Sequence, residues 1–294
     1  MNVLITGASG LLGRACSQAF ADLNPTTCAW SRATENDLRL DLTDAAAVRS
    51  AIAKHQPDLI IHTAAERKPD VCENQRDQTE SLNVEATRTL AEAAVEQHAK
   101  LLYISTDYVF DGSNPPYAVD DACHPLNFYG QTKRAGEEVV LQTSDQHIVM
   151  RVPILYGEVE TIEESPITTL LQELLNPTPH AVDHWAIRYP TYVGDVAKTL
   201  RNWTEHLLKN SNHCGIFHMS GAEAFSKYDM ACIIGDVLQL DHSHLSPDSQ
   251  PPAGAPRPKN SQLDISRLQQ MTAVEQTPFS LNIQHILTQF LFQS

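Results

Sequence analysis

Three glycines near the amino terminus constrain this chain more than any other feature in it. Asn2 to Gly13 reads NVLITGASGLLG, an apolar run from Val3 to Ile5 that stops at Gly7 and restarts as a helix. A buried parallel strand followed by its turn has this pattern. Gly7, Gly10 and Gly13 are spaced G-x-x-G-x-x-G, and the first two let the backbone turn tightly and approach a ligand with no Cβ in the way. The third lets the new helix pack close to the strand, with its free N–H groups aimed at a phosphate. Taken alone, the same pattern also suits a glycine-rich turn in any α/β protein.

The downstream segments narrow the choice. Leu11 to Phe20 reads as a helix, Thr27 to Trp30 as a second strand and Leu38 to Leu42 as a third. Leu59 to Thr63 and Lys100 to Ile104 are further apolar strands, with a long helix from Thr79 to Gln97 between them. Strands apolar on both faces, alternating with helices, predict an α/β fold with a Rossmann-like, doubly wound parallel sheet. The second half is less regular: strands at His147 to Arg151 and Gly215 to Met219, and helices at Gly194 to Leu208 and at Ser226 to Gln239, the latter capped by Ser226. Ser246 to Asn260, with five prolines, reads as a loop. A last helix, Leu281 to Phe292, carries Ile283, Ile286, Leu287, Phe290 and Leu291 on one stripe and should dock. The expected division is a sheet domain over residues 1–154 and 192–220, and a smaller lobe over 155–191 and 221–294.

Composition excludes several classes of function. A formal net charge of −15 argues against nucleic acid or an anionic membrane as the main partner. No apolar run approaches the ~20 residues of a membrane helix. A first strand starting at Asn2 leaves no room for a signal peptide, and six scattered cysteines without a C-x-x-C pair fit a reducing cytoplasm. His180 and His184 sit four apart, but Pro179 precedes them and no carboxylate–histidine pattern surrounds them, so a solvated loop is expected and no metal.

Several residues point to dinucleotide chemistry. After the second strand, where an acid would hold a ribose 2′-hydroxyl, the chain has Ser31 and Arg32. A hydroxyl and a guanidinium suit a 2′-phosphate, hence NADP(H) over NAD(H), although an exposed loop arginine reads the same way. The strand at Leu101 ends in Ser105-Thr106-Asp107-Tyr108, where ligands of open α/β sheets bind. Tyr129 and Lys133 then open a helix and share one face of it.

In this order the motifs resemble an extended short-chain dehydrogenase/reductase. Within that superfamily the chain resembles the dTDP-4-dehydrorhamnose reductase family and its relative, the regulatory β subunit of methionine adenosyltransferase. The resemblance rests on TGASGLLG at 6–13, AAERKPDVCEN at 64–74, STDYVFDG at 105–112, PLNFYGQTK at 125–133, RVPILYGEVE at 151–160 and RPKNSQLDISRL at 257–268. It implies that Thr106, Tyr129 and Lys133 are catalytic: Thr106 bonds the substrate carbonyl, Tyr129 protonates the alkoxide, and Lys133 lowers the phenol's pKa and binds the nicotinamide ribose. Gly7, Ser9, Gly10, Leu11, Leu12 and Gly13 would hold the cofactor's phosphates. Arg32, Asp41, Leu42, Ala64, Ala65, Asn83, Ser105, Tyr129 and Lys133 would also bind the cofactor. Glu66, Asp107, Tyr108, Phe110, Arg188 and Arg257 would line the substrate side, the two arginines facing a nucleotide-sugar diphosphate or an anionic loop.

Departures from the reductase pattern leave two functions open. Ile154 stands where reductases carry tryptophan, and Leu155-Tyr156-Gly157-Glu158 is followed by Glu163-Glu164, whose charges would repel a diphosphate. These segments, with AAERKPDV and Asp183-His184-Trp185, resemble the β subunit. One expectation is an NADP-dependent reductase of a 4-keto sugar nucleotide. The other is an NADP-loaded regulatory subunit that docks on an S-adenosylmethionine synthetase. A monomer or homodimer is expected in either case.

Overall fold

The computed structural model describes residues 1–30, 32–209 and 213–291. Ser31, expected at the cofactor ribose, and Phe292, the expected end of the last helix, lie outside the described residues. The strands, in chain order, are β1 (Val3–Thr6), β2 (Thr26–Ala29), β3 (Leu38–Arg39), β4 (Leu59–His62), β5 (Lys100–Thr106) and β6 (Ile148–Val152). After them come β7 (Leu155–Tyr156), β8 (His180–Asp183), β9 (Thr191–Tyr192), β10 (Gly215–His218) and β11 (Leu245–Asp248). Seven of them form one parallel sheet in the order β10-β6-β5-β4-β1-β2-β3. The chain starts in the middle, moves to one edge and then crosses to the other. The strand order therefore reverses between β1 and β4, which opens a crevice at their carboxyl ends.

Alternation along the strands builds a core on each face. Val3, Ile5, Leu59, Ile61, Leu102 and Ile104 face one layer, where α1 (Leu11–Ala19) contributes Leu12 and Cys16. Leu4, Ile60, Leu101 and Tyr103 face the other, against Val48 and Ile52 of α2 (Ala45–His55). Between β4 and β5 come α3 (Pro69–Asn74), α4 (Arg76–Glu80), a π-helical turn (Ser81–Glu85) and α5 (Ala86–Glu96). The single helix expected over 79–97 is thus interrupted, and the interruption carries Asn83. Further on, α6 (Phe128–Thr143) follows β5, α7 (Leu170–Leu175) follows β7, and α8 (Val193–Lys209) packs Trp203 and Leu207 into the first core beside α1.

A third core gathers residues from the second half of the chain. Leu171 of α7, Met230 and Ile234 of α9 (Lys227–Leu238), and Ile283 and Leu287 of the terminal helix meet there with Tyr156. Ser226 caps α9 in a reciprocal box: its Oγ accepts from Asp229 N at 3.0 Å, and Asp229 Oδ2 accepts from Ser226 N at 2.8 Å. Such a cap contributes about 1 kcal/mol and fixes where the helix begins. After α10 (Ser266–Gln269), Leu268 returns to the first core, with Met271 and Val274 packed against it. The terminal helix, α11 (Phe279–Leu291), buries Phe279, Ile283, Ile286 and Leu287, as its stripe predicts.

Two local expectations are corrected. The third strand ends at Arg39, because Asp41 accepts from Thr43 N at 2.9 Å and turns the chain toward α2. The segment from His180 is not a solvated loop: β8 pairs in parallel with β11, the start of the proline-rich stretch. Each is a four-residue strand at least half exposed on one face, so neither carries a readable period.

Candidate functional site

A continuous cavity of about 740 Å³ opens at the carboxyl ends of β1, β4, β5 and β6. It runs from the glycine turn past Thr106, Tyr129 and Lys133 to Arg188, Lys227 and Arg257. Gly7 has φ +69°, and a Cβ there would lie 2.7 Å from Ala64 N, so both the turn and the approach of the β4 loop require glycine. A Cβ on Gly13 would lie 2.1 Å from the Gly7 carbonyl oxygen, so α1 can seat against the turn only with glycine there. At Gly10 the nearest atom is 3.2 Å away, and the space its missing Cβ leaves belongs to the cavity. Among the described residues no side chain caps α1. Its first N–H groups are thus left for an anion, and the residues fit a dinucleotide pyrophosphate. Ser9, Leu11, Leu12, Arg32, Asp41, Leu42, Ala64 and Ala65 also line this end.

The residues expected to be catalytic come together where β5 meets α6. Thr106 Oγ1 donates to Asp107 Oδ1 at 3.1 Å and accepts from Tyr108 N at 3.2 Å, which caps the short helical turn Asp107–Val109. Asn127 caps α6 by accepting from Gly130 N at 2.9 Å, which places Tyr129 and Lys133 on the face toward β5. Lys133 is 3% exposed; its Nζ donates to the Ile104 carbonyl at 2.7 Å and lies 4.0 Å from the Tyr103 ring centroid. Burial draws the ammonium down to about 7, partly offset by the Glu137 carboxylate. Burial pushes the Tyr129 phenol up, against the smaller opposing effect of a hydrogen bond with Thr106, and Asp107 pushes it higher still. The expectation that Lys133 lowers the phenol's pKa is therefore corrected: the lysine is held by the end of β5, and desolvation prevails. Tyr129 is protonated at neutral pH, the form a proton donor needs.

Other expected residues take different places. Asn83, 1% exposed, accepts from Glu66 N at 2.9 Å and donates to Glu66 O at 2.9 Å and to Thr132 Oγ1 at 3.2 Å. It stands behind the cavity wall and fixes the loop that carries Ala64 and Ala65. Glu66 does not line the cavity; its carboxylate accepts from Lys68 N at 2.9 Å. Ser105 reaches the wall, but its hydroxyl donates to Glu137 Oε1 at 2.6 Å, and Arg151 donates to the same carboxylate at 2.7 and 2.8 Å. Phe110 is fully buried away from the cavity, stacked on Tyr117 at 4.1 Å, because its ring completes a small apolar cluster with Val109 and Leu263. Tyr108 does line the cavity, edge-on to Tyr129 at 6.0 Å.

The far end is cationic. Arg188 donates to the Pro258 carbonyl at 3.1 Å, and Arg257 pairs with Asp70 at 2.7 Å. Lys227, absent from the sequence expectations, joins them at the first turn of α9. Among the described residues its ammonium has no hydrogen-bond or ion-pair partner, and burial with the neighbouring Arg188 lowers its pKa. Asp183 and Asp107 are acids on this part of the wall. Ser226 signalled the helix start in sequence; that the next residue would face the cavity depended on how α9 packs against the rest of the chain. Asp107 Oδ2 accepts from Ser261 at 2.5 Å, and burial raises this carboxyl to about 6.

The acidic segment also lies differently from expectation. Glu164 is 7% exposed and sits by the glycine turn, where it bonds both Arg14 and Arg32. Its charge is matched by guanidinium groups rather than set against a substrate diphosphate.

The matching family model, RmlD substrate binding domain, spans residues 1–292. Methionine adenosyltransferase 2 subunit beta of Pongo abelii is 45% identical over 98% of this chain and 88% of its own length. The dTDP-4-dehydrorhamnose reductase of Aggregatibacter actinomycetemcomitans is 32% identical over 97% of both chains. A crystal structure of dTDP-4-dehydrorhamnose reductase from Bacillus anthracis in complex with NADP superposes with TM-score 0.82 at 28% identity, covering 100% of this chain and 99% of the other. With its seven-stranded parallel sheet, its glycine turn and a match over nearly its whole length, the chain belongs to the RmlD substrate binding domain family.

Proposed function

We propose that this protein binds NADP(H) along the glycine turn and reduces the keto group of a nucleotide sugar. The observation that carries this reading is the continuity of one cavity: phosphate cradle, Thr106–Tyr129–Lys133 centre and cationic far end share a single wall. When bound, the reduced nicotinamide supplies a hydride to the carbonyl carbon. Thr106 orients the carbonyl oxygen, Tyr129 donates the proton that neutralises the developing alkoxide, and Lys133 positions the nicotinamide ribose. Arg188, Lys227 and Arg257 neutralise an anionic group on the substrate, as a diphosphate linker requires. NADPH oxidation against a panel of keto-deoxysugar nucleotides tests the reading. Turnover that falls at least a hundredfold in Tyr129→Phe is expected; no turnover on any member of the panel by a cofactor-loaded protein overturns it.

A second reading is favoured by one observation, the 45% identity to methionine adenosyltransferase 2 subunit beta over 98% of this chain. In it the protein is a regulatory subunit of an S-adenosylmethionine synthetase, and the cofactor-loaded fold serves as a docking module. Sizing chromatography of an equimolar mixture with the synthetase separates the two. A stable complex without NADPH oxidation selects the second reading, and turnover without a complex selects the first.

A further inference from the structure

The three cations at the far end of the cavity are held in different ways. Arg257 is matched: its Nη2 donates to Asp70 Oδ2 at 2.7 Å and its Nη1 to the Ala255 carbonyl at 2.8 Å. Arg188, 4% exposed, donates to the neutral carbonyls of Ile187 and Pro258 at 3.2 and 3.1 Å. Lys227 is half-buried, and among the described residues neither it nor Arg188 has an ion-pair partner. The acids on the same wall are already engaged. Asp183 Oδ1 accepts from Trp185 N at 2.9 Å and from Ala186 N at 3.1 Å, and Asp107 is held by Thr106 and Ser261.

The backbone fixes the two unpaired charges on one wall. Arg188 N donates to the Phe225 carbonyl at 2.7 Å, and Phe225 N donates to the Arg188 carbonyl at 2.9 Å. The Ser226 cap comes next, and Lys227 is the first residue of α9. Like charges brought together under partial burial repel one another, which costs stability in the empty cavity. An anion that spans both relieves that repulsion and supplies the partner each lacks.

We propose that Lys227 is the specificity-determining residue of this end: with Arg188 it forms a site for an esterified diphosphate, whose two adjacent charges match the two unpaired cations. This rests on the reading of the cavity as a nucleotide-sugar site, and it deepens that reading. An uncharged ligand leaves both cations unmatched and binds weakly. Binding of the diphosphate is also coupled to a proton. Around Lys227, Arg188 and Arg257 favour its neutral form, and Asp183 and Glu173 of α7 favour its charged form. Tyr108 and Asp107 share the cavity wall, and His184 lies 2.7 Å from Ser226 Oγ. Burial outweighs the acids, so the ammonium releases its proton at a lower pH than a free lysine. The phosphate charges reverse that shift, and Lys227 takes up a proton as they arrive.

The test is titration calorimetry of the NADP⁺-loaded full chain with dTDP-glucose, which carries the diphosphate and no keto group. Inorganic pyrophosphate and thymidine are the comparison probes. The wild type should bind dTDP-glucose at least tenfold more tightly than either. Lys227→Met should weaken dTDP-glucose about tenfold, the worth of one charge-assisted bond, and leave thymidine unchanged. At pH 9.5 binding to the wild type should take up a proton, read from the dependence of the heat on the buffer's ionisation enthalpy. Lys227→Arg, whose guanidinium stays charged, should bind within about threefold of wild type and without that uptake. This variant keeps the inference falsifiable if Lys227→Met does not fold. An affinity unmoved in Lys227→Met, uptake that persists in Lys227→Arg, or pyrophosphate bound more tightly than dTDP-glucose overturns the inference. None of these measurements uses hydride transfer, so the reductase reading fails separately, by the absence of NADPH oxidation. If NADP⁺ does not load, that reading falls, and dTDP-glucose titrated into the free protein tests Lys227 with the same expectations.

Discussion

Lys133 donates its Nζ proton to the Ile104 carbonyl oxygen at 2.7 Å, which ties the first turns of α6 to the end of β5. Burial lowers this lysine from 10.5 to about 7, so the folded chain binds fewer protons than the unfolded chain between those values. Stability should rise with pH across that window. The penalty of the buried charge is fully present below about 7 and is relieved as pH approaches 10.5. Chemical denaturation of the dinucleotide-free protein at pH 6.5 and 9.5 should therefore show a gain on the order of 2 kcal/mol that Lys133→Met lacks. An equal pH dependence in the two proteins would show that Lys133 is not the group responsible.

Gly10 and Gly13 should separate folding from binding. Alanine at Gly13 would place its Cβ 2.1 Å from the Gly7 carbonyl oxygen, so α1 must shift and the melting temperature should fall by several degrees. Alanine at Gly10 meets its nearest neighbour at 3.2 Å and should melt within about two degrees of wild type. Its methyl enters the phosphate cradle, however, and NADP⁺ affinity should drop tenfold or more. Thermal melting with and without NADP⁺ reads both effects.

Asp107 and Ser261 give a second pH signature, of opposite sign. Burial raises the carboxyl from 3.8 to about 6, so its contribution to stability is fully present below the unfolded value and is lost as pH rises through about 6. The Ser261 hydroxyl bonds the charged form and limits that loss. Ser261→Ala should therefore destabilise by about 1–2 kcal/mol at pH 7, and by clearly less at pH 5, where Asp107 is mostly protonated. Urea unfolding at the two pH values checks this; a loss independent of pH would assign Ser261 a packing role only.

Glu137 and Arg151 form a pair with exposures of 0% and 1%, joined by two hydrogen bonds and shared with Ser105. Removing one partner leaves the other charge buried. Glu137→Gln should cost about 3–5 kcal/mol, whereas the partly exposed Arg134, a third partner of that carboxylate, should cost under about 1 kcal/mol on truncation to alanine. Equilibrium unfolding of both variants tests the contrast.

Local chemistry made much of this molecule legible. Gly7, Gly10 and Gly13 act over a few residues, and strands apolar on both faces announce a sheet covered on both sides. The Ser226 cap is a contact three residues long, and the α11 stripe follows from helical period alone. Tyr129 and Lys133 share a helix face by the same rule. What could not be read were relations across the sheet and between segments distant in sequence. Asn83 was expected at the cofactor, and its bonds instead run to Glu66 and Thr132 behind the wall. Ser105 and Phe110 lie in a segment that runs from the cavity wall into the interior, and the neighbours brought by α6, β6 and residues 117–123 decide their partners.

The sequence by itself determined the α/β class, the place of the glycine turn and the Thr106–Tyr129–Lys133 order, because strand period, helix period and turn geometry are short-range properties. Only the tertiary structure decided which charges meet. Glu164 reaches Arg14 and Arg32 across 150 and 132 residues of chain, and Lys227 joins Arg188 and Arg257 at the far end of the same cavity. Electrostatic energy depends on separation in space and on burial, and sequence distance specifies neither.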